Sequence, residues 1–191
     1  MPNDSQPPPS TDNYAIGKGK LYIGQWLGTT PSYSEMGNCP SIEFEPTVEK
    51  LPHYSSQTGF KTKDKESVIQ TEYVLNFDCD ELATTNLAKY LMGTESAESN
   101  GATILGLQNI TGEYALQFVS DNPVGPDYIW TFHKCTLQPN GALPLIGEEW
   151  MTMSITATGL SDVANQASSP YFSVRAHTTT TTSTTTTTTE G

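Results

Sequence analysis

The chain has 191 residues, nine Lys and Arg against 21 Asp and Glu, and a formal charge of −12 at pH 7. The length suits one domain with chain left over for arms, and the abundance of Thr, Ser, Asn, Gly and Pro favours β structure with many turns over helix bundles or coiled coils. So acidic a chain excludes a DNA- or RNA-binding module, because it repels phosphate instead of releasing its counterions.

In chain order, residues 1–13 hold four prolines among polar residues and read as an arm. Lys18 to Leu27 reads as a first strand, with Leu21 and Ile23 facing one way. Residues 41–49 alternate strictly, with Ile42, Phe44 and Val48 on one face and Glu43, Glu45 and Glu49 on the other; Pro46 marks an edge or a bulge. A long loop is expected over 51–65. Residues 68–79 form the clearest strand, with Ile69, Tyr73, Leu75, Phe77 and Cys79 on one face and Gln70, Glu72, Asn76 and Asp78 on the other.

The period then becomes helical. Asp80 is the expected N-cap, Glu81 lies in the first turn and Gly93 is the expected C′ residue, with Ala83, Leu87, Tyr90 and Leu91 as the apolar stripe. Strands follow near 103–110, 113–120, 128–137, 149–158 and 171–176, and Asn140-Gly141 is a turn signal. Residues 177–191, dominated by a Thr tract, form a second arm around a domain at 14–176. The fold expected is mainly β, a sandwich or barrel of about eight strands with one flanking α-helix and extended N- and C-terminal arms.

No run approaches the roughly 18 apolar residues of a membrane helix, so no membrane association is expected. The opening MPNDSQPPPSTDNY has neither a basic region nor an apolar core and does not read as a signal peptide. Cys39, Cys79 and Cys135 are odd in number and far apart, which suits free thiols in a reducing cytoplasm. No chemistry-bearing motif emerges. His53, His133 and His177 have no neighbours at metal-ligand spacing, and Gly17-Lys18-Gly19-Lys20 lacks the spacing of a phosphate loop and precedes a strand. No nucleophile elbow occurs. The expectation is a non-enzyme with no cofactor and no metal.

Charge is unevenly placed. Residues 66–191 carry three basic residues against fourteen acids, while Lys61, Lys63 and Lys65 cluster within five positions. That cluster is either a solvated loop tip or a docking element.

The strand GKGKLYIG, then GNCPSIEFEPTVEKLPHYSSQTGFKTKDKESVIQTEYVLNFDCDE, then LATTNLAKYLMG, run in an order that resembles the tail tube protein, or major tail protein, of long-tailed bacteriophages. The later WTFHKCTLQPNGALPLIGEEWMTMSITATGL is similar to that family's closing hairpin. The resemblance covers residues 14–176 and leaves both arms outside. It implies a β-sandwich with a flanking helix that assembles into homo-hexameric rings, stacked into a hollow tube for genome ejection. Implied partners are further copies of the chain and the tape measure, tail terminator and distal tail proteins. Phage DNA passes through without specific binding. The implied location is the virion tail, after synthesis in the host cytoplasm.

An acidic wall suits such a conduit, since six copies would carry roughly −72 formal charges per ring, and like charge keeps phosphate from sticking. Glu43, Glu45, Glu49 and Glu72 are the candidate lumen-facing acids; outer solvent is the alternative for them. The family's long hairpin loop reaches toward the next ring, which makes His53, Tyr54, Phe60, Lys61, Lys63 and Lys65 the candidate inter-ring loop. The rival reading is a secreted carbohydrate-binding β-sandwich with a Thr-rich linker.

Overall fold

A computed structural model of the chain describes residues 10–28, 30–57 and 59–177. Of the arms expected at 1–13 and 177–191, residues 1–9 and 178–191 lie outside the described residues. Among the described residues there are ten strands, one α-helix and a single 3-10 turn, Thr11–Asn13, at the end of the N-terminal arm. The strands are β1 (Gly19–Gln25), β2 (Ser34–Glu35), β3 (Ser41–Ser55), β4 (Thr62–Cys79), β5 (Thr94–Glu98), β6 (Gly101–Leu105), β7 (Glu113–Ser120), β8 (Asp127–Pro139), β9 (Met153–Gly159) and β10 (Phe172–His177). The helix, α1, spans Thr84–Tyr90.

One antiparallel sheet runs β2-β1-β7-β8-β9-β4-β3, and β5 and β6 form a separate hairpin. Strand β8 is long enough to hold three neighbours. Its residues 127–132 pair with β10, residues 135–139 pair with β9, and β7 runs along it with a register shift between Tyr114 and Leu116. The sheet therefore divides at β8 and coils over itself. Phe44 on the edge strand β3 shows this, since its ring lies 5.4 Å from Phe132 on β8 and 5.0 Å from Phe172 on β10, strands that are not its sheet neighbours. The result is a β-sandwich with one flanking helix.

Period-two patterning builds its core. Tyr73, Leu75, Phe77 and Cys79 alternate along β4 and are all buried, as are Leu21 and Ile23 on β1. They meet Leu116, Phe132, Leu137, Met153 and Ile155 from the other strands, each large apolar side chain contributing about 1.5–3 kcal/mol on burial. Gly159 is required at the end of β9, because a Cβ there would meet the Tyr73 ring at 2.1 Å.

Several sequence expectations are corrected. The first strand is shorter than 18–27, and β5, which carries no apolar alternation, was not anticipated. The strand expected near 103–110 ends at Leu105. Asp80 is not the N-cap. Its amide donates to the Asn38 carbonyl at 3.3 Å and its carboxylate accepts from Asn38 Nδ2 at 2.7 Å, so it secures the end of β4 and the helix starts after Ala83. At the other end Met92, with φ of 46°, takes the left-handed C′ position assigned to Gly93. The amides of Met92 and Gly93 close on the carbonyls of Lys89 and Ala88 in a Schellman motif. Gly93 serves close approach to β6, where a Cβ would lie 2.6 Å from the Leu105 carbonyl oxygen. In the expected apolar stripe Tyr90 is buried and Leu87 and Leu91 pack against the core, while Ala83 is exposed.

Candidate assembly surfaces

The expected loop over 51–65 is instead strand for most of its length. Pairing of β3 with β4 continues through His53–Lys65 and Tyr54–Lys63 to Ser55–Thr62, leaving only residues 56–61 as the tip. Register shifts at Glu49/Lys50 and His53/Tyr54 accommodate extra residues on β4. Strand β9 pairs only with Val74–Cys79, so the outer stretch of the hairpin is a two-stranded ribbon projecting beyond the sheet. Ile69, expected on the core face, lies at the first shift and is 55% exposed. Pro46 does lie on an edge strand, since β3 ends the strand order; among the described residues no strand pairs with its outer edge.

Directly paired residues share a sheet face, which brings the four candidate acids together. Glu43, Glu45 and Glu49 alternate along β3, and Glu72 pairs with Thr47 between them. The same face continues across β9 and β8 through the pairs Asn76–Thr156, Asp78–Ser154 and Thr158–Thr136. Ser154 Oγ donates to Asp78 Oδ1 at 2.6 Å and Thr156 Oγ1 donates to Asn76 Oδ1 at 2.6 Å. Glu72 accepts from Gln70 Nε2 at 2.9 Å, and Lys134 bridges to Glu113 at 2.9 Å. The opposite face carries Ile42, Phe44, Tyr73 and Leu75 into the core. The sheet thus presents a wide acid- and hydroxyl-bearing surface on which Asn76, Asp78 and Glu113 are each paired across strands.

The six candidate hairpin residues do not share a face. His53 and Lys65 lie on the acid face, with His53 Nδ1 2.6 Å from Asp64 Oδ1. Tyr54 and Lys63 lie on the other, where Lys63 bridges to Glu66 at 3.1 Å. Phe60 and Lys61 occupy the tip, and Phe60 is 81% exposed.

A further surface was not legible in the sequence. Asn140-Gly141 is a turn signal in the sequence, and Gly141 does have a φ of 113°. The chain nevertheless makes a thirteen-residue excursion before β9, closed at its neck by the Asn140 amide on the Ser154 carbonyl at 2.8 Å. The Tyr90 hydroxyl anchors it by donating to the Gly141 carbonyl at 2.9 Å. Leu145, Ile146 and Trp150 on this excursion are 78%, 98% and 93% exposed. Residues 149–152, expected in a strand, belong to it.

A cleft of about 540 Å³ lies where the chain around Trp26 to Tyr33 and around Asn165 meets the sheet, and Gln117, Thr131 and His133 also line it. Beside it, His133 Nε2 and Asp162 Oδ2 are buried without hydrogen-bond partners. Burial holds the His133 imidazolium below its ordinary range, opposed in part by the Asp162 carboxylate. The three cysteines are free thiols, and burial pushes Cys135 up to about 12. Among the described residues no group of three or more His, Cys, Asp or Glu side chains is placed to hold a metal ion, and no helix is long and apolar enough to cross a membrane.

A family model described as "Protein of unknown function UCP028589" matches residues 14–107, just under half of the chain, from the end of the N-terminal arm to just past β6. No curated protein matches the chain.

Proposed function

We propose that the chain is a structural virion protein whose copies form stacked, six-membered rings, making the tail tube through which a phage genome leaves the capsid. The observation that carries this reading is the β3–β4 hairpin. It joins a fifteen-residue edge strand whose outer edge pairs with no strand among the described residues, a projecting ribbon and an acidic face in one element. An isolated two-stranded ribbon is marginal in water, and a long free edge invites pairing with another chain. Both features are resolved if neighbouring copies complete the sheet around a ring. The acid face then lines the channel, where it repels the phosphates of passing DNA. Such a conduit acts by shape and charge, without catalysis.

Negative-stain electron microscopy of the purified chain at high concentration, with a seeding arm that adds purified tail tips, tests the reading. Rings or tubes with a central hole are expected. Monomers that persist in both arms would overturn it.

The cleft at Trp26 favours a second reading, a carbohydrate-binding β-sandwich. Indole and phenol rings beside side-chain amides are groups that stack on and hydrogen-bond to sugars, and Trp26, Tyr33, Gln117, Asn165 and Gln166 supply them. A glycan array discriminates the two: saturable binding that Trp26→Ala abolishes supports the module, and a blank array removes it.

A further inference from the structure

We propose that the excursion over 140–152 is the socket for the β3–β4 hairpin tip of a second copy of the chain. The inference rests on the stacked-ring reading above and adds the acceptor surface and the chemistry of the contact.

Leu145, Ile146 and Trp150 stand almost wholly in solvent, an arrangement that a loop flanked by polar chain does not need for its own folding. Glu148 and Glu149 sit among them. The hairpin tip at 56–61 and the strand pairs just below it, with Tyr54 and Lys63 on one face and Lys65 on the other, have the complementary composition. Phe60 is 81% exposed, Tyr54 is half exposed, and Lys61, Lys63 and Lys65 form the chain's basic cluster. An apolar centre with acids on one side and lysines on the other is the pattern of a specific interface, in which burial supplies affinity and charge sets the register.

The placement of the two surfaces decides where they can meet. The tip joins the first residue of β4, Thr62. The excursion leads into Met153, which pairs with Cys79 at the last residue of β4, and together with Asp80 and Leu82 it lines one cavity. Eighteen strand residues separate those ends, on the order of 55 Å at about 3.3 Å per residue. Tip and socket therefore cannot touch within one chain. Between copies they form a heterologous contact that repeats along the direction of β4.

The test replaces Phe60 with the photocrosslinking residue p-benzoylphenylalanine in the full chain, irradiates it under assembly conditions and maps the adducts by mass spectrometry, with micrographs of the same sample. Adducts between position 60 and residues 140–152 of another copy are expected. Intermolecular adducts that map elsewhere, or tubes without adducts, overturn the socket and leave the tube reading standing. Adducts on 140–152 without any tube keep the contact and remove the tube. A charge-swap arm provides a second criterion. Reversal of Lys61, Lys63 and Lys65 to Glu lowers the assembled fraction roughly tenfold, and adding Glu148→Lys and Glu149→Lys in the same chain restores it. Failure of the second change to restore assembly contradicts the pairing.

Discussion

The body of the sandwich and the projecting hairpin are built from the same strands under opposite conditions. Along β4 the residues from Tyr73 to Cys79 alternate between buried and half-buried, and every inward side chain touches the core. From Thr62 to Thr71 the same strand is exposed at every position, and Val68 and Ile69 stand more than half in solvent, as do Val48, Leu51 and Tyr54 on its partner. Backbone pairing is continuous across the boundary. What changes is the third layer: the body has β9 and the aromatic cluster beneath it, and the ribbon has neither. One strand thus carries an element that is packed on both sides within the chain and another that is left open to solvent.

The largest effect separating the two comes from truncation. Phe77→Ala removes a buried ring from the body and is expected to cost about 3–5 kcal/mol in urea denaturation, whereas Val68→Ala on the ribbon stays within about 0.5 kcal/mol. Equal losses would show that the ribbon is packed in the isolated chain and break the contrast.

Much of the body is legible in the sequence, because burial there follows the strand period. Leu21 and Ile23, the alternation after Tyr73 and the polar face of Glu43 and Glu45 are each set by a side-chain pattern that local geometry enforces. The ribbon is harder to read for a physical reason. With solvent on both faces nothing selects apolar from polar positions, so Leu51 to Lys65 shows no period and resembles a loop. The excursion over 140–152 misleads in the other direction, since Asn140-Gly141 carries the chemistry of a tight turn while the length of the return is fixed by tertiary contacts such as Tyr90 on Gly141. Asp80 has the composition of a cap but is engaged by Asn38, 42 positions earlier, which local spacing cannot reveal. The cleft at Trp26 joins segments distant in the chain and leaves no local signal.

A smaller effect sharpens the body's side of the contrast. Gly159→Ala places a methyl group against the Tyr73 ring, which the Phe44 and Phe132 rings hold in place, so the strand end must shift. A loss of about 1–3 kcal/mol is expected in the same denaturation measurement. On the hairpin, replacing residues 56–61 with Asn-Gly closes the Ser55–Thr62 pair by a two-residue turn and removes Phe60 and Lys61. Thermal unfolding of the isolated chain is expected to change by less than about 0.5 kcal/mol, while sedimentation detects no large assemblies. Tubes that still grow would show that the tip is dispensable.

The smallest expected effect concerns pH. His133 lies on β8, on the border between body and cleft, and burial lowers its folded-state value from the ordinary 6.5 even though the Asp162 carboxylate opposes the shift. The unfolded chain therefore takes up a proton at a higher pH than the folded chain does. Between the two values the unfolded state binds more protons, so stability rises with pH and is lost on acidification through that window. The wild-type melting temperature should accordingly fall further than that of His133→Gln when pH drops from about 7.5 to about 5.5. Equal slopes for wild type and His133→Gln would remove His133 as the source of the acid sensitivity.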